Sequence, residues 1–152
     1  MELVNELAVT TLMVLLGVAI ALVLSVLASM LILQESWAGI RREVVEENST
    51  GYGTLTGSLF VAVCALVGVA NRQSITPVWD PTLADRIAFL LGWVIYGQVV
   101  SFVLAYLVNW VLFGLTPASV KQELRRDHNA SVAAVCGLTY LGVSLLVVFR
   151  IF

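Results

Sequence analysis

The chain predicts an all-α integral membrane protein in which four transmembrane helices form two helical hairpins of like orientation. Three features lead there. Four stretches, 7–33, 51–70, 87–115 and 130–149, contain no charged side chain. A ladder of small residues in the first run recurs about 80 residues later in the third. A short, charged, amphipathic connector follows each ladder and leads into the next apolar run.

The apolar content is 60% and the charged content 12%, against roughly 45–50% and 25% in an ordinary soluble domain. Such a chain belongs in lipid. Each run reaches the ~20 residues with which a helix crosses ~30 Å of hydrocarbon. Strand-like alternation is absent, and a backbone in lipid must satisfy its own hydrogen bonds, so helices are the expected solution.

Repeat one is assigned to 1–70, with spans at 7–33 and 51–70 and a connector at 36–48. The first span exceeds what the bilayer requires and must tilt or protrude. It is too long for a cleaved secretion signal, and Glu2 and Glu6 stand where such a signal carries basic residues, so the segment is expected to stay. Its ladder is Gly17, Ala21, Ser25 and Ser29, spaced four apart and therefore on one helix face. Ser36 can cap a connector helix that puts Trp37, Ile40 and Val44 on one side and Arg41, Arg42, Glu46 and Glu47 largely elsewhere, at headgroup level. The second span opens with Gly53 and Gly57, a GxxxG pair.

An external loop, 71–86, contains Pro77 and Pro81. Asp80 before Pro81 reads as a helix cap and first turn, and Trp79 as an outer interfacial anchor. Repeat two occupies 87–152, with spans at 87–115 and 130–149 and a connector at 116–128. Its ladder is Gly97, Ser101, Ala105 and Asn109, with Gln98 alongside. Thr116 before Pro117 repeats the cap grammar, and Pro117, Val120 and Leu124 stand where Trp37, Ile40 and Val44 stand in the first copy. Ala133 and Gly137 take the places of Gly53 and Gly57. Because one repeat contains two spans, both copies enter the membrane in the same direction, and their relating axis should lie along the membrane normal.

Arg41, Arg42, Lys121, Arg125 and Arg126 fall in the two connectors, while Arg72, Arg86 and Arg150 fall on the other side. The positive-inside rule then puts the connectors in the cytosol and both termini outside. Cys64 and Cys136 lie within spans and read as small apolar residues rather than as a disulfide or metal pair.

The stretch from Leu115 to Gly137, with its threonine-proline, its charged segment, and Asn129 followed by Ala130, Ala133, Ala134 and Gly137, resembles the bacterial "domain of unknown function 350" family, also called YjfL-like membrane proteins. In the first copy the pattern is degraded: Trp37 replaces the proline and Asn48 falls one place early relative to Asn129. The resemblance covers essentially the whole chain. It implies a four-helix, two-copy protein of the bacterial inner membrane without an established activity. It also implies relatives encoded near envelope-stress proteins of the phage-shock type and near polyamine-ligase-like enzymes, and it carries over no catalytic residue.

The absence of charge deep in any span speaks against proton-coupled pumps, voltage sensors and carriers of charged substrates. His128, the sole histidine, sits beside Asp127 in a loop with no second histidine or nucleophile, so neither catalytic nor metal residues, nor a cofactor, are expected. The interrupted basic run Lys121, Arg125 and Arg126 does not suit nucleic acid. The expected partners are membrane lipid, further copies of the chain meeting through the small-residue ladders, and a soluble cytosolic protein. Two functions fit: a non-enzymatic oligomeric scaffold whose connectors present charged helices, or a small channel or permease with a neutral pore lined by Gln98, Ser101, Ser25 and Ser29.

Overall fold

A computed structural model describes residues 2–75, 82–126 and 129–151, with side chains for 6–72, 82–125 and 129–149. Its six helices are α1 (Glu2–Leu33), α2 (Trp37–Val45), α3 (Thr50–Ile75), α4 (Leu83–Phe113), α5 (Pro117–Arg126) and α6 (Ala130–Ile151), and the described residues contain no strand. Four of them, α1, α3, α4 and α6, are long and apolar enough to cross a membrane, and the chain is a multi-pass membrane protein. The expectations for Pro77, Trp79, Asp80, Pro81, Asp127 and His128 lie outside the described residues, as do the side chains of Arg126 and Arg150.

Local chemistry explains where the helices start and stop. Ser36 accepts the Gly39 amide at 3.2 Å and caps α2. Thr82 and Asp85 form a reciprocal capping box at the start of α4. Thr116 and Ser119 do the same for α5, and Asn129 Oδ1 takes the Ser131 amide at 3.2 Å to open α6. Gly114 ends α4 with φ 66°, the left-handed turn that glycine enters without a Cβ penalty. Gln34 and Asn48 reach φ 48° and 51° without that freedom, at the end of α1 and just beyond α2. Asn48 therefore serves as a stop after α2, whereas Asn129 starts α6.

Helices α3 and α6 form the central pair. Helix α1 lies along α3, and α4 lies against both α6 and α3. The connector helices share one end of the bundle, where α5 touches the ends of α1 and α6, and α2 touches α3. Toward that end the core contains Leu33, Ile40, Tyr52, Leu55, Leu124 and Ala133. Away from it, Met13, Val67, Leu90 and Val94 pack in one cluster and Leu66, Val147 and Val148 in another. Large apolar residues such as Leu15, Leu31, Val111, Leu146 and Phe149 point outward. On a membrane-spanning helix that is the lipid-facing side, and burying them in the chain would gain little.

Candidate functional site

Both small-residue ladders turn inward. On α1, Gly17, Ala21, Ser25 and Ser29 are all buried; a Cβ on Gly17 would stand 3.2 Å from Val67 Cγ1 and 3.3 Å from the Asn71 amide nitrogen, so this face lies on α3. On α4, Gly97, Ser101 and Ala105 are buried and Asn109 half-buried, with Leu66 Cδ2 3.1 Å from where a Gly97 Cβ would be. The grooves that small residues cut in α1 and α4 are thus filled within one chain.

The two small-residue pairs at the starts of α3 and α6 have different surroundings. Ala133 is fully buried, and a Gly137 Cβ would come within 2.7 Å of Ser58 Cβ and 3.7 Å of Leu55 Cα, which makes Gly137 the point of close backbone approach between α3 and α6. Gly53 is half-buried and Gly57 exposed, and a Cβ on either would meet nothing within 4 Å. Equal spacing in sequence therefore does not mean an equal role in packing.

The connectors interlock through charge. Glu35, just past the end of α1, places Oε2 2.8 Å from Arg125 Nη2 and 3.3 Å from Lys121 Nζ. The Lys121 ammonium also donates to the Gln34 carbonyl at 2.7 Å. Arg125 Nε lies 3.9 Å from Glu43 Oε1 on α2, so one guanidinium ties α5 to both the end of α1 and the first connector helix. The Glu35 and Glu43 side chains are only 18% and 10% exposed, so these pairs are screened less than surface pairs are. Gly39 makes room, since a Cβ there would sit 2.8 Å from Glu35 Cγ. The Tyr52 hydroxyl lies beside Arg125 without meeting it in hydrogen-bond geometry, and this hydroxyl and the Glu35 charge raise the guanidinium's pKa further above its ordinary value. Lys121 and Arg125 accordingly turn their charged ends to these carboxylates, although the Arg125 side chain as a whole is exposed. Arg41 and Arg42 are exposed, Arg42 lies 3.4 Å from Glu47, and Trp37 is 42% exposed.

Sequence reading missed Glu35 and Glu43. Glu43 stands three residues after Ile40 and one before Val44, on the same helical face, which was signal enough to place it inward. Glu35 had no such signal, because its direction follows from the left-handed turn at Gln34.

A second polar group lies inside the bundle. The Gln98 amide on α4 donates from Nε2 to the Tyr140 hydroxyl oxygen on α6. Ser101 and Ser144 are fully buried on the same two helices. Ser25 and Ser29 are elsewhere, on α1, where each hydroxyl donates to the carbonyl one turn back at 2.6 and 2.8 Å. The four residues expected to line one pore are thus divided between a self-satisfied pair on α1 and a pair on α4, of which Gln98 bonds across to α6.

Cys64 and Cys136 are free thiols, the first half-buried and the second buried. Among the described residues no three of His, Cys, Asp and Glu gather as a metal site. The arrangement couples the two connectors at one end of the bundle and holds a neutral polar contact between α4 and α6.

No curated protein and no solved structure matches the chain. The family model described as Domain of Unknown Function (DUF350) matches residues 2–151, the stretch that contains all six helices, both connectors and the buried seam, and the chain belongs to that family.

Proposed function

We propose that the protein is a non-enzymatic scaffold of the bacterial inner membrane, associated with the envelope-stress response, whose two connectors act as one rigid cytosolic platform. The observation that carries this is the Glu35–Arg125–Glu43 interlock, which ties both connectors together at one end of the bundle. A rigid pair of helices presents Arg41, Arg42 and Trp37 in a set arrangement, and preorganisation of this kind lowers the ordering cost of binding a soluble partner. The chain is read as two copies of one hairpin, a reading supported by the contacts of α1 with α3 and of α4 with α6 and by a hydroxyl-capped connector in each half, and the connector arginines favour the cytosolic side with both termini periplasmic. The outward Gly53 and Gly57 face of α3 is where further copies of the chain can approach closely, giving a homo-oligomer.

In-cell photo-crosslinking from Arg41 and Glu46, both exposed, tests the platform. A discrete adduct with one soluble protein, lost when Arg125 is changed to Ala, is the expected result. Adducts with lipid and self alone would refute the partner. The alternative, a small channel or permease with a neutral polar pore, is favoured by the uncharged seam of Gln98, Ser101 and Ser144. Purified protein in liposomes distinguishes the two, since a scaffold adds no flux of ions or polyamines over empty vesicles.

A further inference from the structure

A hydroxyl within a helix has an easy partner in the carbonyl one turn back. Thr11, Ser25, Ser29 and Ser58 all use it, at 2.8, 2.6, 2.8 and 2.8 Å. Ser101 and Ser144 do not. Both are 0% exposed, and neither hydroxyl oxygen meets a hydrogen-bond partner; Gln98 Oε1 is buried and unpartnered as well. Gln98 and Ser101 are three apart on α4, and Tyr140 and Ser144 are four apart on α6, so each pair shares a face. The Gln98–Tyr140 hydrogen bond brings those faces together. Three unpartnered polar groups therefore lie along one seam, although a dry solution was open to both serines. In lipid, leaving such groups unsatisfied is expensive.

We propose that this seam is a one-ended water inlet, entered from the connector end and closed toward the opposite face. The chemistry selects water. Gln98 Oε1 only accepts, while the serine hydroxyls can donate, so the guest must do both. An anion finds no donor at Gln98 Oε1, and a cation finds no carboxylate there. Exchanging the amide's oxygen and nitrogen would leave a donor unpaired in place of an acceptor, and water can meet either.

The route is a cavity of about 40 Å³ between the seam and the start of α5, lined in part by Asn109, Thr116, Pro117, Cys136 and Tyr140. That volume holds at least one water. Asn109 Oδ1 is buried without a partner, and Tyr140 belongs to both the cavity and the seam. On the far side the path meets apolar contacts: Leu66 Cδ2 and Val147 Cγ1 lie 3.1 and 4.0 Å from where a Gly97 Cβ would stand. A dead end of this kind is no pore, and it is independent of the scaffold reading.

The test is water-edited solid-state NMR on serine-labelled protein in liposomes, reading the rate at which magnetisation passes from water to each serine Cβ. Ser25 and Ser29 are internal controls, equally buried and satisfied by their own helix. Ser101 and Ser144 should polarise several times faster than the controls, and Ser101→Ala should slow the transfer to Ser144. Equal, slow rates at all four serines in the unaltered protein would overturn the inlet. A rate at Ser144 that ignores Ser101→Ala would overturn the shared guest.

Discussion

Changing Gly137 to Ala tests whether α3 and α6 owe their closeness to one missing Cβ. That atom would lie 2.7 Å from Ser58 Cβ, and ordinary contact begins at 3.4 Å, so roughly 0.7 Å must be found. Ser58 Cβ is fixed to its backbone and its hydroxyl is held by Thr54 O at 2.8 Å, so rotating the side chain cannot supply the space. The helices must separate. A gap of about 0.5–1 Å forfeits a quarter to a half of each dispersion contact along the seam, and overpacking of this size costs about 1–3 kcal/mol. Against it stands alanine's higher helix propensity, worth up to about 1 kcal/mol. The expected net loss is about 1–2 kcal/mol, whereas Gly57→Ala, which meets nothing within 4 Å, should leave the monomer unchanged or slightly more stable. Reversible unfolding in mixed detergent micelles, followed by helicity, measures both. Changing Ser58 to Gly alongside Gly137→Ala should recover most of the loss. If the alanine variants at 57 and 137 unfold alike, the close approach at Gly137 is not what holds α3 to α6.

Three further substitutions probe the polar contacts. Glu35→Gln should loosen α5 from the end of α1 at a cost of about 1–2 kcal/mol, between the values for exposed and for charged, partly buried pairs. Arg125→Ala on top of it should add less than it does alone, and amide exchange across 117–126 reads the effect; full additivity would show that the two charges do not interact. Tyr140→Phe removes the acceptor of the Gln98 amide. It should destabilise the bundle by about 0.6 kcal/mol, the average for hydrogen bonds between membrane helices, and by no more than about 1.7 kcal/mol; an unchanged unfolding midpoint would mean that Gln98 finds an equal partner elsewhere.

Much of the fold was legible because it depends on neighbours in the chain. The apolar runs became α1, α3, α4 and α6, differing mainly at their ends: α1 starts at Glu2 rather than near residue 7, and α3 continues to Ile75 rather than ending at 70. Ser36 and Thr116 could be recognised as caps because a cap is a contact over three residues. The buried site was less legible. Gln98 and Ser101 stood out as polar residues in lipid, but Tyr140, which the Gln98 amide meets, lies about 40 residues away on another helix. Ser25 and Ser101 occupy similar contexts in sequence, yet one hydroxyl bonds its own helix and the other is buried without a partner.

The sequence by itself determined that the chain lives in lipid, that it holds four helices long and apolar enough to span it, and roughly where each lies, because transfer from water and hydrogen bonding within one turn are local free energies. Only the tertiary structure decided how each helix is rotated about its own axis. That choice packed Gly137 and left Gly57 bare, drew Glu35 under α5, and joined Gln98 to Tyr140. Rotation is fixed by how side chains of distant segments fit together, and residue spacing along one helix is silent about which face its neighbour will take.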